Sequence, residues 1–160
     1  AARKLETGRD LNGNKLIGTF PKFCLGAAVN PGADPWEPQL MKMDKKVEAG
    51  AEFFQTQAVF DLKTFENFIS RIKHVKIPVI AGVILLKSAA MANYMNQHVA
   101  GISVPDNLIK EMENSQDKPA SAIAIASRLI KELKPMCQGI HIMSIGWPNM
   151  VPLVLKACGL

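Results

Sequence analysis

The chain is poor in the residues that build metal centres and cross-links. Its three cysteines, Cys24, Cys137 and Cys158, lie far apart and lack metal-type spacing. They read as reduced core thiols, which points to a reducing cytoplasm. The three histidines, His74, His98 and His141, are equally scattered, so no metal site is expected. The longest apolar run, residues 77–86, contains Pro78 and Gly82. It is too short to span a bilayer and suits a buried strand. No signal peptide and no membrane association are expected. A phosphate-binding Gly-Lys-Ser/Thr loop and a nucleophile elbow are both missing, which argues against a P-loop kinase or an α/β hydrolase. Long basic runs and interleaved aromatics are missing too. The net charge of +5 therefore reads as solvated helix faces, not a nucleic-acid surface. A minority of the lysines is left to grip an anionic cofactor or substrate.

What remains is a globular composition, 48% hydrophobic and 21% charged, over 160 residues. That is enough for one modest domain with a core. Residues 1–21 form a polar lead-in with a turn at Asn12-Gly13. Over residues 22–160 strand and helix patterns alternate. Strands are expected at 22–30, 50–60, 77–86 and 137–146. The helix between the first two carries Trp36, Leu40, Met43 and Val47 as an apolar stripe. Asp61 is expected to cap the next helix, whose buried face is Phe65, Phe68, Ile69 and Ile72. Two short helices joined by an extended piece follow. A further helix has Pro119 in its first turn and ends before Pro135, and a last helix closes the chain. This rhythm predicts an α/β protein of parallel βα units.

The second strand, "FFQTQAVF", raises a functional question. Side chains alternate across a strand, so Phe53, Gln55, Gln57 and Val59 share one face and Phe54, Thr56, Ala58 and Phe60 the other. Two glutamines on one face of an otherwise apolar strand need hydrogen-bond partners. A polar barrel interior or a ligand would supply them, and this favours a (β/α)₈ barrel over a doubly wound sheet. A full barrel takes about 250 residues, so the chain supplies roughly half of one.

The blocks "GAAVNPGADP" (26–35), "KKVEAGAEFFQTQAVFD" (45–61), "IPVIAGV" (77–83), "GISVP" (101–105) and "CQGIHIMSIG" (137–146) resemble, in order and spacing, the C-terminal half of the methylenetetrahydrofolate reductase family. The wording is most similar to the branch found in anaerobes with an acetogenic folate pathway. The resemblance implies the second half, strands five to eight, of a (β/α)₈ barrel. It implies a flavin, FAD or secondly FMN, and ping-pong hydride transfer that reduces methylenetetrahydrofolate to methyltetrahydrofolate. It also implies a reduced donor, NAD(P)H or a redox protein, and association with the missing N-terminal half or an oligomer. The alternative is a partial barrel or subunit that binds a flavin or a partner without catalysis of its own.

The same resemblance assigns residues. Gln57 falls on the substrate-binding glutamine, whose amide offers the donor and acceptor a pterin edge needs. Gln55 reads as a satisfied interior amide, and His141, which matches a family histidine, as a satisfied core group. Asn30 and Asp34 stand in the flavin-contacting loop, replacing a family aromatic and histidine. Lys45 and Lys46 match a basic pair that helps hold FAD, and their spacing puts them on the non-apolar side of their helix. Ala90 and Met143 stand where the family has aromatics. No residue of the chain is assigned as the catalytic proton donor, which the family carries in its N-terminal half.

Overall fold

The computed structural model describes all residues, 1–160. A short helix, α1 (Ala2–Glu6), is followed by a four-stranded sheet. Its strands are β1 (Gly26–Val29), β2 (Phe53–Ala58), β3 (Val79–Ile84) and β4 (Gly139–Met143). The order is β1-β2-β3-β4 and every pair is parallel. The connections are α2 (Glu37–Glu48), α3 (Leu62–Arg71), then α4 (Ala89–His98), α5 (Asp106–Asn114) and α6 (Lys118–Leu133). The chain closes with α7 (Val151–Cys158). The parallel βα architecture expected from the sequence is present. No helix is long and apolar enough to cross a membrane.

The core lies between the sheet and its helices. Phe54, Ala81 and Val83 face it from the strands; Phe65, Ile125 and Leu133 meet them from the helices, all fully buried. Asp61 caps α3 as expected, accepting hydrogen bonds from the backbone N–H groups of Lys63 and Thr64 at 2.9 and 3.2 Å. Phe65, Phe68 and Ile72 are buried beneath it, and Ile69 is half-buried. In α6, Pro119 occupies the first turn and Asp117 caps it. The connector between α4 and α5 is held by Asn96, which donates to the carbonyl of Val104 and accepts from its N–H.

Four local expectations fail. The first strand begins at Gly26, not near Lys22, because residues 22–25 are not strand-paired. Cys24 lies in that segment and is exposed, so it is not a core thiol; all three cysteines are free. In α2 only Met43 is buried. Val47 is exposed, and the Trp36 ring is half-buried with the Arg71 guanidinium 3.6 Å above it. Val59 lies beyond the end of β2 and is buried, so it does not share the face of Gln57.

The lead-in is tied to the N-terminal ends of β1 and β2. Arg3 pairs with Glu6 at 2.8 Å and Glu52 at 2.7 Å, and donates to the carbonyl of Gly50. Glu6 accepts from the N–H of Phe23, and Glu52 from that of Leu25. The Arg3 guanidinium holds the Glu6 carboxyl below its ordinary range. The Leu25 N–H, with Arg3 second, does the same for Glu52. Arg3 and Glu6 thus anchor the start of the lead-in at the end of the sheet where β1 and β2 begin.

Candidate functional site

The helices cover one face of the sheet. From the register, Gly26 and Ala28 of β1, Phe53, Gln55 and Gln57 of β2, Ile80 and Gly82 of β3, and His141 and Met143 of β4 point to the other face. A hollow of about 500 Å³ opens over β1 and β2, lined by Ala28, Phe53, Gln55, Gln57 and Met143 among others. The Phe53 ring packs onto Gly26, where a Cβ would strike it, and so forms part of the floor of the hollow.

The two glutamines are treated differently. Gln55 is half-buried, and its amide nitrogen lies 2.6 Å from Nδ1 of His141. The contact pairs the two side chains on the inner face, where both are half-buried. Gln57, one step nearer the strand end, is exposed and makes no side-chain hydrogen bond within the chain. Between them, buried Thr56 points to the helix side. Its hydroxyl accepts from the N–H of Gly82 at 2.9 Å and donates to the carbonyl of Gln57 at 2.7 Å. It thereby bridges the register shift between β2 and β3 that falls between Gln55 and Ala58.

The loop after β1 is packed against the α4–α5 connector. Asn30 donates to the carbonyl of Ala100 at 3.1 Å and accepts from the N–H of Gly32 at 3.1 Å. A side chain at Gly101, where φ is 77°, would strike the Asn30 amide, and one at Gly32 would strike the carbonyl of Gly101. Asn30 is therefore committed to holding the two loops together. Asp34 is exposed. A second cavity, about 270 Å³, lies beside this loop between α2 and α3, with Trp36, Gln39, Asn67 and Arg71 in its wall.

The two lysines separate as well. Lys45 is exposed and has no partner within the chain. Lys46 is half-buried and donates to the carbonyl of Ala28 at 2.6 Å. It turns toward the sheet edge instead of lying on a solvated face. An ammonium has three donors, so two stay available for an anion.

Across the sheet, Lys87 follows β3 and stands 5.2 Å over the Trp147 ring, in the loop after β4. It has no acidic partner. The neighbouring Ile145 has a φ of 46°, a left-handed conformation unusual for a β-branched residue. The sequence reading missed this pair because its members are 60 positions apart. The signal available was the occurrence of both immediately after strands. Ala90 is exposed in the first turn of α4, and Met143 lies over Gly82. The aromatic surface near these strand ends is that of Trp147.

Parallel βα units with a hollow on the face away from the helices define an α/β protein, consistent with a TIM-barrel-like fold. Comparison with known proteins narrows this. The family model for methylenetetrahydrofolate reductase matches residues 15–159. Methylenetetrahydrofolate reductase 2 of Schizosaccharomyces pombe is 26% identical over 86% of the chain and 25% of its own length. The probable NADPH-dependent methylenetetrahydrofolate reductase of Caenorhabditis elegans is 24% identical over 86% and 22%. A protein of Clostridium thermocellum, described as binding two copies of 5-methyl-5,6,7,8-tetrahydrofolic acid, has a similar fold. Its TM-score is 0.58 at 20% identity, covering 88% of this chain and 54% of that one. The chain belongs to the methylenetetrahydrofolate reductase family. It spans a quarter or less of the length of these curated relatives and about half of the structural neighbour.

Proposed function

We propose that the chain is the second half of a (β/α)₈ barrel that reduces 5,10-methylenetetrahydrofolate to 5-methyltetrahydrofolate. The observation that carries this is Gln57. Of the polar side chains on the inner face, Gln55 and His141 are hydrogen-bonded to each other, while Gln57 is exposed at the strand end with both amide groups free. That is where barrel active sites gather. A pterin edge alternates donors and acceptors, and a primary amide matches it.

The residues fit a flavin. Lys46 with two spare donors, and unpaired Lys45, suit a diphosphate. FAD is the proposed cofactor, with FMN second; bound there, a flavin would take up two electrons, as hydride from NAD(P)H or as electrons with a proton from solvent when a redox protein is the donor, and would deliver hydride to the folate in a separate step. Asp34 is exposed and free to accept a sugar hydroxyl, whereas the amide of Asn30 is engaged by Ala100 and Gly32, leaving mainly its backbone for the cofactor. A cytoplasmic setting belongs to the same proposal, in keeping with three free thiols. Burial pushes the Cys137 thiol up, which keeps it unreactive.

The open edges of β1 and β4 favour a second reading, in which these residues bind only when a partner half completes the wall. The test is an absorbance spectrum of the complete barrel during turnover. The reading expects flavin absorbance that bleaches with the donor and returns on adding methylenetetrahydrofolate. A colourless protein that turns over, or a flavin that never responds to the folate, contradicts it.

A further inference from the structure

Gln55 and His141 are 86 positions apart and sit on strands that are not neighbours, with β3 between them. They meet because the β3 residue paired with His141 is Gly82, which has no side chain on the inner face. A Cβ there would lie 2.8 Å from both the Met143 methyl and the carbonyl of Thr56. The result is a 2.6 Å contact between the Gln55 amide nitrogen and Nδ1 of the imidazole. An amide nitrogen only donates, so with the Gln55 nitrogen facing the ring Nδ1 is the accepting nitrogen. A neutral imidazole has one donor and one acceptor. Its proton is then on Nε2, which has no partner in the chain.

The pair is half-buried, and it leaves an N–H donor over on the face that Gln57 shares. We propose that Gln55 is a positioning residue: it fixes the tautomer of His141 so that Nε2–H donates to an acceptor on a ring ligand seated over the inner face of the sheet. The shared chemistry is a ring carbonyl or ring nitrogen, found on both a pterin and an isoalloxazine. The ligand half of this inference rests on the function proposed above; the tautomer half does not.

The experiment is nitrogen NMR of the full chain with ¹⁵N-labelled histidine, the His141 signals identified by their loss in His141→Asn. The expected wild-type spectrum has a pyridine-like Nδ1 and a pyrrole-like Nε2. Gln55→Met keeps the shape and removes the donor, and should give averaged tautomers. Gln55→Glu replaces the donor by an acceptor and should reverse them. A wild-type His141 protonated on Nδ1, or a spectrum unchanged in both variants, overturns the tautomer assignment even if one variant folds poorly.

The ligand arm adds 5-methyltetrahydrofolate and FAD separately to the complete barrel. The compound that shifts Nε2 is the acceptor, and its affinity should fall roughly two- to ten-fold in Gln55→Met, the worth of one hydrogen bond. If both compounds bind and neither shifts Nε2, the donor role is wrong while the proposed function stands. If neither binds to wild type, both fail, and the tautomer result stands alone.

Discussion

The Lys46 ammonium donates a 2.6 Å hydrogen bond to the carbonyl oxygen of Ala28 on the edge strand β1. This places the one cation of α2 that is not fully solvated beside the hollow. Lys46→Glu should remove that bond and set a negative charge near a cofactor phosphate. A charge-assisted bond at a half-exposed site is worth on the order of 1 kcal/mol, so flavin affinity should fall about five-fold or more. The loss should shrink as salt is raised, because the Debye length is about 8 Å at physiological ionic strength. Fluorescence titration at two salt concentrations checks this; an unchanged affinity at low salt makes Lys46 an edge cap only.

Thr56 offers a test of the strand geometry under Gln57. Its buried hydroxyl serves Gly82 N–H and the carbonyl of Gln57 together. Thr56→Val keeps the shape and strands a buried N–H, which should cost about 1–3 kcal/mol in denaturant unfolding. Thr56→Ser should restore most of it. Equal stability of the valine and serine variants would show that the register shift does not depend on the hydroxyl.

Asp61 gives a pH prediction. Burial pushes its carboxyl up, but hydrogen bonds from the Thr64 hydroxyl and the N–H groups of Thr64 and Lys63 outweigh this, and its pKa is lowered. A depressed carboxyl contributes stability that is present above the unfolded pKa, about 3.9, and lost as pH falls through the lower folded value. Asp61→Ala should therefore cost about 1 kcal/mol at neutral pH, the usual worth of an N-cap. The difference from wild type should vanish in acid below that range. A deficit that persists unchanged at low pH means the loss is of packing, not of the charged cap.

The four-stranded sheet with two open edges predicts behaviour of its own. With β1 and β4 as open parallel edges and an uncovered inner face, the 160-residue chain should self-associate and show no reductase turnover alone. Light scattering with an activity assay checks both. A monodisperse monomer that turns over would contradict it.

Much of this was legible in the sequence where the signal is local. The Asp61 cap, the buried stripe of α3 and the end of α6 before Pro135 depend on residues a few positions apart, and each is where the pattern put it. The two faces of β2 followed from period-two alternation over residues 53–58, and the pattern ended before Val59. What the sequence could not show depends on distant packing. The exposure of Cys24 follows from residues 22–25 lacking a strand partner. The turn of Lys46 toward Ala28 follows from how α2 lies on β1. The Gln55–His141 contact and the Lys87–Trp147 stack join residues brought together by the sheet order alone. Asn30, assigned to a cofactor by resemblance, spends its side chain between two loops that no local pattern connects.

The central claim is that Gln57 is polar because it binds the folate. Stopped-flow comparison of the two half-reactions in the complete barrel tests it most directly. Gln57→Ala should strand the groups it pairs, costing about 1–3 kcal/mol, or roughly a five- to 150-fold loss of kcat/KM for methylenetetrahydrofolate. Reduction of the flavin by its donor should change far less, since the folate takes no part in it. An equal loss in both half-reactions, or a loss of thermal stability alone, would show that Gln57 is a structural amide.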